Sequence, residues 1–371
     1  MADEPSFIGH WDALDLPGSV WAHWWVQHAF STGQNPFVDT VSFWPVGLDP
    51  VLQYNLLDAV VGAPWIALFG VIHGYNVATV VALTATGMGG YALGRSMRLS
   101  AAGATFVGVA IQSSSSVALE LYEGRLSQFL LVFLLLALAA FVRVAYQPPN
   151  RRTGLLLGAC AAATALVYWY AGLYFLLSVA ALVAFGRIEW TRNRVISMAI
   201  GAAVGAALVL PFVMELMGQW DTLPGMTRNT EGSDAATNLA SLKSGQDIAT
   251  ENSRWWLWPI VSRANQEAGH QMSIVVVLGT AFAIRHRCTR IAGWPRVAAV
   301  GWLLALGPVF HGFSSTGTAS APFGWLQSAS PIFARMWWPQ RFEVLTAIGL
   351  AVVAGAGIDH WMKDRSRPWL G

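Results

Sequence analysis

Long apolar runs without a single charge are the feature that most limits how this chain can fold. They cover residues 130–142, 154–167, 173–185 and 196–213. With their flanking apolar residues, several of them approach the roughly 20 residues that a helix needs to cross a bilayer. Charged residues make up only 11% of the chain, against about a quarter in an average soluble domain. We therefore expect an all-α integral membrane protein.

The distribution of arginine and lysine predicts how the chain crosses the membrane. Boundaries set by charge, Pro and Gly delimit about nine spans, at residues 74–94, 101–118, 127–146, 154–170, 171–186, 195–217, 271–284, 296–312 and 342–361. If the first of these runs inward, every loop on the cytoplasmic side carries basic residues, and the opposite loops carry far fewer. This asymmetry follows the positive-inside rule. It places the amino terminus and the long loops outside the cytoplasm.

This topology divides the chain into four regions. They are an external segment with amphipathic or interfacial helices at 1–73, transmembrane helices at 74–217, a long external loop at 218–270, and transmembrane helices at 271–371 with an external loop at 313–341. Residues 56–72 are apolar enough to span, but the acidic segment before them favours an interfacial or re-entrant helix. No apolar segment precedes Asp3, which suggests that a first span is missing.

Composition and motifs exclude several classes of function. The net charge of +2 is too small to indicate a nucleic-acid partner. Cys160 lies in an apolar run and Cys288 in an Arg-rich loop, so a disulfide is not expected. The usual zinc, P-loop and hydrolase motifs are lacking, and the histidines have no ligand spacing. We assign no metal and no cofactor, with a divalent ion left open, and expect membrane lipid as the one general partner.

Two carboxylates, Asp12 and Asp15, precede a short amphipathic helix in the external segment. Aromatic residues share one face of this helix, which we expect to lie against the membrane surface: Trp21, Trp24, Trp25 and His28. Partial desolvation there would raise the pKa of a carboxylate towards values useful for a general base. In the alternative interpretation, Asp15 is a helix N-cap and the tryptophans are interfacial anchors.

A second polar group lies in the short external turn at residues 120–128. Glu120, Glu123 and Arg125 place charge close to hydrocarbon, which is costly and often functional, here for substrate binding. Alternatively, a Glu and Arg pair simply holds the turn. Tyr170, in the sequence YWYAGLY, reaches the same face and could stack on a substrate, although an aromatic belt also explains it.

A third group, Arg335 and Arg341, flanks an aromatic segment directly before the last span. Two external arginines at headgroup depth suit a lipid-linked phosphate, because guanidinium binds phosphate through two parallel hydrogen bonds. In the alternative interpretation they contact ordinary lipid headgroups.

Together with these residues, further short motifs make the chain resemble the GT-C superfamily of membrane glycosyltransferases, in particular its bacterial members. The matching residues in the first external segment are Asp15, Trp21, Trp24, Trp25, Asn35, Pro36, Phe37, Trp44, Pro45, Gly47, Asn55, Asp58, Tyr75 and Asn76. Further along, EGRLSQ, YWYAGLY and the P.RF element before the last span are also similar to this group. The likeness covers most of the chain.

The resemblance implies a GT-C-like fold in a bacterial inner membrane and a role in the cell envelope. It implies transfer of a sugar from a polyprenyl-phosphate carrier to an acceptor outside the cytoplasm, by an inverting, metal-independent mechanism in many members. The general base is then Asp15, with Asp12 as the runner-up. The alternative is a non-enzymatic membrane protein, either a lipid or solute transporter or a structural subunit. A transporter should place polar groups at mid-bilayer, and these spans nearly lack them.

Overall fold

The computed structural model describes residues 6–9, 15–38, 41, 56–218, 273–286, 288, 293–305, 309–311, 318–320, 322–334, 336 and 339–365. Within these ranges the chain is almost entirely helical, with one short antiparallel pair of strands. The prediction of an all-α architecture is confirmed.

The first part of the chain forms nine helices within the described ranges: α1 (Leu16–Thr32), α2 (Leu56–Ser96), α3 (Ala101–Gln112), α4 (Ser115–Tyr122), α5 (Leu126–Phe129), α6 (Val132–Tyr146), α7 (Arg151–Val167), α8 (Trp169–Phe185) and α9 (Arg192–Gly218). The second part forms α10 (Ile274–Arg285), α11 (Trp294–Ala305), α12 (Pro322–Ala329), α13 (Pro331–Ala334), a 3₁₀ turn (Pro339–Phe342) and α14 (Glu343–Arg365). Strands β1 (Val309–His311) and β2 (Thr318–Ser320) pair with Val309 opposite Ser320.

Four helical segments of the described chain are long and apolar enough to cross a membrane: Leu56–Ser96, Leu126–Tyr146, Arg192–Glu215 and Pro339–Asp364. Helices α3 and α4, which bend by 42° at their junction, would together make a fifth. The chain is therefore a multi-pass membrane protein. Helices α7, α8, α10 and α11 lie where further spans are expected, but they have only 12 to 17 residues. The number of about nine spans stays a prediction.

Helix α2 is broken at Gly70, whose backbone has φ 74° and ψ 175°. This left-handed conformation favours glycine because a β-carbon would be strained there. Beyond the break, a β-carbon at Gly74 would lie 2.5 Å from the carbonyl oxygen of Trp65 and 2.6 Å from the α-carbon of Ile66. Such closeness requires the segment before the break to fold back on the segment after it. Residues 56–72 therefore do not continue straight into the following helix, and their interfacial or re-entrant placement stays a prediction.

Helix α1 packs its apolar face on the first half of α2. The two helices share a small core made of Ala22, Trp25, Val26, Ala29, Leu56, Ala59 and Ala63. The prediction that the aromatic face lies against the membrane surface is wrong for Trp25, which is fully buried in this core. Its indole nitrogen donates a hydrogen bond to the carbonyl of Pro36 at 3.0 Å. The face predicted from the spacing therefore contacts protein.

Loops at the two ends of the bundle are joined by different sets of contacts. At one end Gln147 donates to the carbonyl of Ser96 at 2.9 Å, and the amide of Ser100 donates to Asp359 at 2.9 Å. The other end brings together the turn at 120–128 and the residues just before α1, α8 and α14. These loops thus lie at two opposite ends of the bundle, and which end faces the cytoplasm stays a prediction.

Candidate functional site

The site is an ion-pair network around Arg125, in the turn between α4 and α5. The guanidinium donates through Nε to Oδ2 of Asp15 at 2.5 Å, through Nη1 to Oε2 of Glu120 at 3.1 Å and through Nη2 to Oε2 of Glu123 at 3.4 Å. All three nitrogens of the guanidinium therefore face carboxylates. Burial on its own would lower the pKa of Arg125, but its pairing with Glu120 and Asp15 raises that pKa above its usual value.

The turn that carries Arg125 is fixed by glycine and by a tyrosine hydroxyl. Gly124 adopts a left-handed φ of 68°, and the amide of Arg125 donates to the carbonyl of Glu120 at 2.8 Å, which closes the turn. The hydroxyl of Tyr75 donates to the carbonyl of Gly124 at 2.6 Å. A β-carbon at Gly124 would lie only 2.5 Å from the side chain of Leu16. The first residue of α1 thus packs directly on this turn, and this contact places Asp15 beside Arg125.

Asp15 occupies the N-cap position of α1, but its side chain makes no capping hydrogen bond. The carboxylate instead pairs with Arg125. The structure therefore gives no support to the N-cap interpretation of this side chain. The side chain of Asp15 is 52% exposed, whereas that of Glu120 is 8% exposed. Among the three carboxylates around Arg125, Asp15 is the one most accessible to a molecule arriving from water.

A second arginine, Arg341, lies beside two stacked tyrosines. It belongs to the 3₁₀ turn before α14, and its Nη1 donates to the hydroxyl of Tyr168 at 2.7 Å. The rings of Tyr168 and Tyr170 are 5.1 Å apart and within 6° of parallel. The guanidinium carbon lies 5.9 Å and 5.7 Å from their ring centres, within cation–π range.

Glu120 connects the two arginines. Its Oε2 accepts from Arg125, and its Oε1 lies 3.9 Å from Nε of Arg341, a distance too long for a hydrogen bond. The result is a continuous polar network from Asp15 through Arg125 and Glu120 to Arg341 and Tyr168, which we call the Asp15–Arg341 network. With Glu123 included, three carboxylates and two guanidinium groups give it a formal charge of −1.

Asn76, for which residue patterns predict no role, organises the amino-terminal side of the site. Its Nδ2 donates to the carbonyl of Ser6 at 2.8 Å, and its Oδ1 accepts from the amide of Ile8 at 2.7 Å. This clamp holds residues 6–9 beside the turn, where a β-carbon at Gly9 would lie 3.3 Å from Gly124. For Tyr75 and Asn76 the only sequence signal is the family resemblance, because a polar pair next to an apolar run does not reveal its backbone partners.

The structure brings most of the predicted site residues together: Asp15, Glu120, Glu123, Arg125, Tyr170 and Arg341. Asp12 and Arg335 lie outside the described residues. Across the described ranges, the His, Cys, Asp and Glu side chains form no group of three or more that could hold a metal ion.

Comparison with protein-family models, with curated proteins and with solved structures gave no match. The fold and the site define a multi-pass helical membrane protein with a partly buried polar network at one end of its bundle.

Proposed function

We propose that the chain is a GT-C-like membrane glycosyltransferase that moves a sugar from a polyprenyl-phosphate carrier to a hydroxyl acceptor on the non-cytoplasmic face. The observation that carries this proposal is the Asp15–Arg341 network, which links a half-exposed carboxylate to a largely buried arginine. Such a reaction needs both groups at the edge of an apolar bundle. The acceptor arrives from water, while the lipid tail of the carrier stays in the bilayer.

In the proposed reaction, Asp15 takes the proton of the acceptor hydroxyl as its oxygen attacks the anomeric carbon of the sugar. The bond between that carbon and the carrier phosphate breaks, and its electron pair leaves with the phosphate. Arg341 stabilises the charge that develops on the leaving phosphate. A single displacement of this kind inverts the anomeric configuration.

Other residues of the site have supporting roles in this proposal. Tyr170 offers a ring face to the sugar, and Glu123, which is partly exposed, can accept hydrogen bonds from sugar hydroxyls. Arg125 holds Asp15 in place beside Glu120. The runner-up base is Asp12, and Arg335 is the second phosphate ligand.

The membrane orientation is also part of the proposal. The loops at the network's end carry few Arg and Lys residues, and the loops at the opposite end carry many. By the positive-inside rule, the network faces away from the cytoplasm. A bacterial inner membrane with about nine spans is the setting that the family resemblance implies.

One observation favours a second candidate, a non-enzymatic structural subunit. The side chain of Arg125 is only 19% exposed, and three carboxylates already surround it, as expected of a clamp that ties α1 to the external turn. A transporter has less support. The buried acidic side chains of the described residues lie towards the ends of their helices: Asp58, Glu120, Glu343 and Asp359.

The variant Asp15→Asn distinguishes a catalytic role of Asp15 from a purely structural one. If Asp15 is the base, transfer of labelled sugar from polyprenyl-phosphate donors in membranes should fall at least about a hundredfold, while carrier binding and folding are kept. Glu189→Gln is the matched control, since Glu189 also pairs with an arginine but is almost fully exposed and remote from the site. It should leave transfer unchanged.

Asp12→Asn is tested in parallel, because either carboxylate could serve as base. Full transfer in both Asn variants would exclude catalysis by this segment and make Glu120 and Glu123 the candidate bases. If Asp15→Asn lowers stability but the folded protein keeps its full transfer activity, the result would support the structural role of Asp15.

A further inference from the structure

Tyr168 lies at a helix boundary, where its backbone and its ring both make defined contacts. It forms the extended break between α7 and α8, where its amide donates to the carbonyl of Thr164 at 3.1 Å. Its own carbonyl accepts from the amides of Ala171 at 2.8 Å and Gly172 at 3.2 Å. The side chain is 7% exposed and stacked on Tyr170. Its hydroxyl oxygen is therefore a fixed acceptor for Arg341.

The two arginines of the network differ in how they meet the buried carboxylate of Glu120. Arg125 donates to it at 3.1 Å, but Arg341 stays at 3.9 Å while donating to Tyr168 at 2.7 Å. Guanidinium prefers a close bidentate pair with a carboxylate when geometry allows one. The contact with Tyr168 competes with that pairing and directs the guanidinium away from Glu120.

We infer that Tyr168 is a positioning residue for carrier binding, which holds Arg341 away from Glu120 so that the guanidinium can pair with the phosphate of the lipid carrier. This inference rests on the proposed function. A phosphate and Glu120 compete for the same cation, and the hydroxyl of Tyr168 shifts the balance towards the phosphate. Tyr168 does not touch the reacting atoms in this scheme.

The experiment measures the Kd of farnesyl phosphate, a short polyprenyl monophosphate, for the full chain in nanodiscs, with farnesol as the probe that lacks phosphate. Tyr168→Phe removes the hydroxyl and keeps the ring. Its affinity for farnesyl phosphate should fall roughly tenfold, the usual size for loss of a hydrogen bond to a charged group. Farnesol binding should not change. Tyr146→Phe is the matched control, because the Tyr146 hydroxyl donates to the carbonyl of Gly186 at the opposite end.

Two further variants test whether Tyr168 acts through Arg341. Adding Glu120→Gln to Tyr168→Phe removes the competing carboxylate and should restore binding towards the wild-type value. In an Arg341→Lys background, where binding is already weakened, Tyr168→Phe should cause no further loss, because additivity fails for residues that act as a unit. A merely structural role for Tyr168 would give neither result.

The outcomes distinguish this inference from the proposed function. If Arg341→Lys weakens binding but Tyr168→Phe does not, the inference is wrong and the phosphate site stands. If neither variant changes the Kd of farnesyl phosphate, the assignment of Arg341 as phosphate ligand fails as well. Equal losses from Tyr168→Phe in both backgrounds would also overturn the inference. If Tyr168→Phe does not fold, Glu120→Gln is measured alone and should tighten the binding of farnesyl phosphate. Unchanged or weaker binding would refute the competition between Glu120 and the phosphate for Arg341.

Discussion

Arg125→Met tests how much stability the network contributes, because methionine keeps an unbranched apolar side chain and removes the charge. Removing one partner of a buried ion pair costs about 3–5 kcal/mol, and Glu120 is such a partner. Asp15 and Glu123 are more exposed, so each of their pairs contributes about 1 kcal/mol or less. Arg341 remains near Glu120 and retains part of the stabilisation. We expect the free energy of unfolding to fall by about 2–4 kcal/mol.

Two companion variants show whether the loss comes from the stranded carboxylate. Glu120→Gln added to Arg125→Met should recover much of the lost stability, because a neutral amide no longer needs a cation. Arg194→Met is the matched control, since its partner Glu189 is 88% exposed, and it should cost about 1 kcal/mol or less. The assay is reversible chemical unfolding in mixed micelles, followed by tryptophan fluorescence.

Equal losses of stability in Arg125→Met and Arg194→Met would show that stranding the buried Glu120 carries no cost, contrary to this prediction. A second contradicting result is a double variant that is as unstable as Arg125→Met. Arg125 would then act through the packing of its aliphatic stem and not through its charge.

Two further predictions concern the turn and the membrane orientation. Gly33→Ala should lower the free energy of unfolding by about 1 kcal/mol, since the backbone at Gly33 is left-handed but its surroundings are open. Gly124→Ala should lower it by about 1–3 kcal/mol more, because the added β-carbon would collide with α1. Equal shifts in the unfolding midpoint would contradict the close contact. In a background without the native cysteines, a cysteine at position 230 should react with an impermeant reagent outside intact cells, and one at position 150 should not. Equal labelling of both would overturn the orientation.

The helices were predictable because their signals are local. An apolar run of sufficient length predicts a buried or membrane helix wherever it occurs, and arginine counts assign loops to sides without any tertiary information. The Glu120–Arg125 pair is also predictable from the sequence, since its members are five residues apart in one turn. Local signals of this kind need no knowledge of which helices are neighbours.

The rest of the site depends on contacts between distant parts of the chain. Asp15 and Arg125 are 110 residues apart, and Tyr168 and Arg341 are 173 apart. The sequence placed these side chains at one end of the bundle but did not pair them. Trp25 shows a related limit, because an amphipathic pattern identifies an apolar face and not what it contacts. In a membrane protein, lipid and protein partners produce the same pattern.

Because the two arginines have different surroundings, one network can act in catalysis and also tie α1 to the turn at 120–128. Arg125 would have to abandon close carboxylate partners to bind a phosphate, so its surroundings suit the role of fixing Asp15. Arg341 has a longer ion pair with Glu120 and donates to the neutral hydroxyl of Tyr168, and an anionic ligand competes with a neutral acceptor more readily than with a carboxylate. Variants of Arg125 should therefore act mainly on stability, and variants of Arg341 and Tyr168 mainly on carrier binding. In this proposal a single network holds the base in place through Arg125 and binds the lipid phosphate through Arg341.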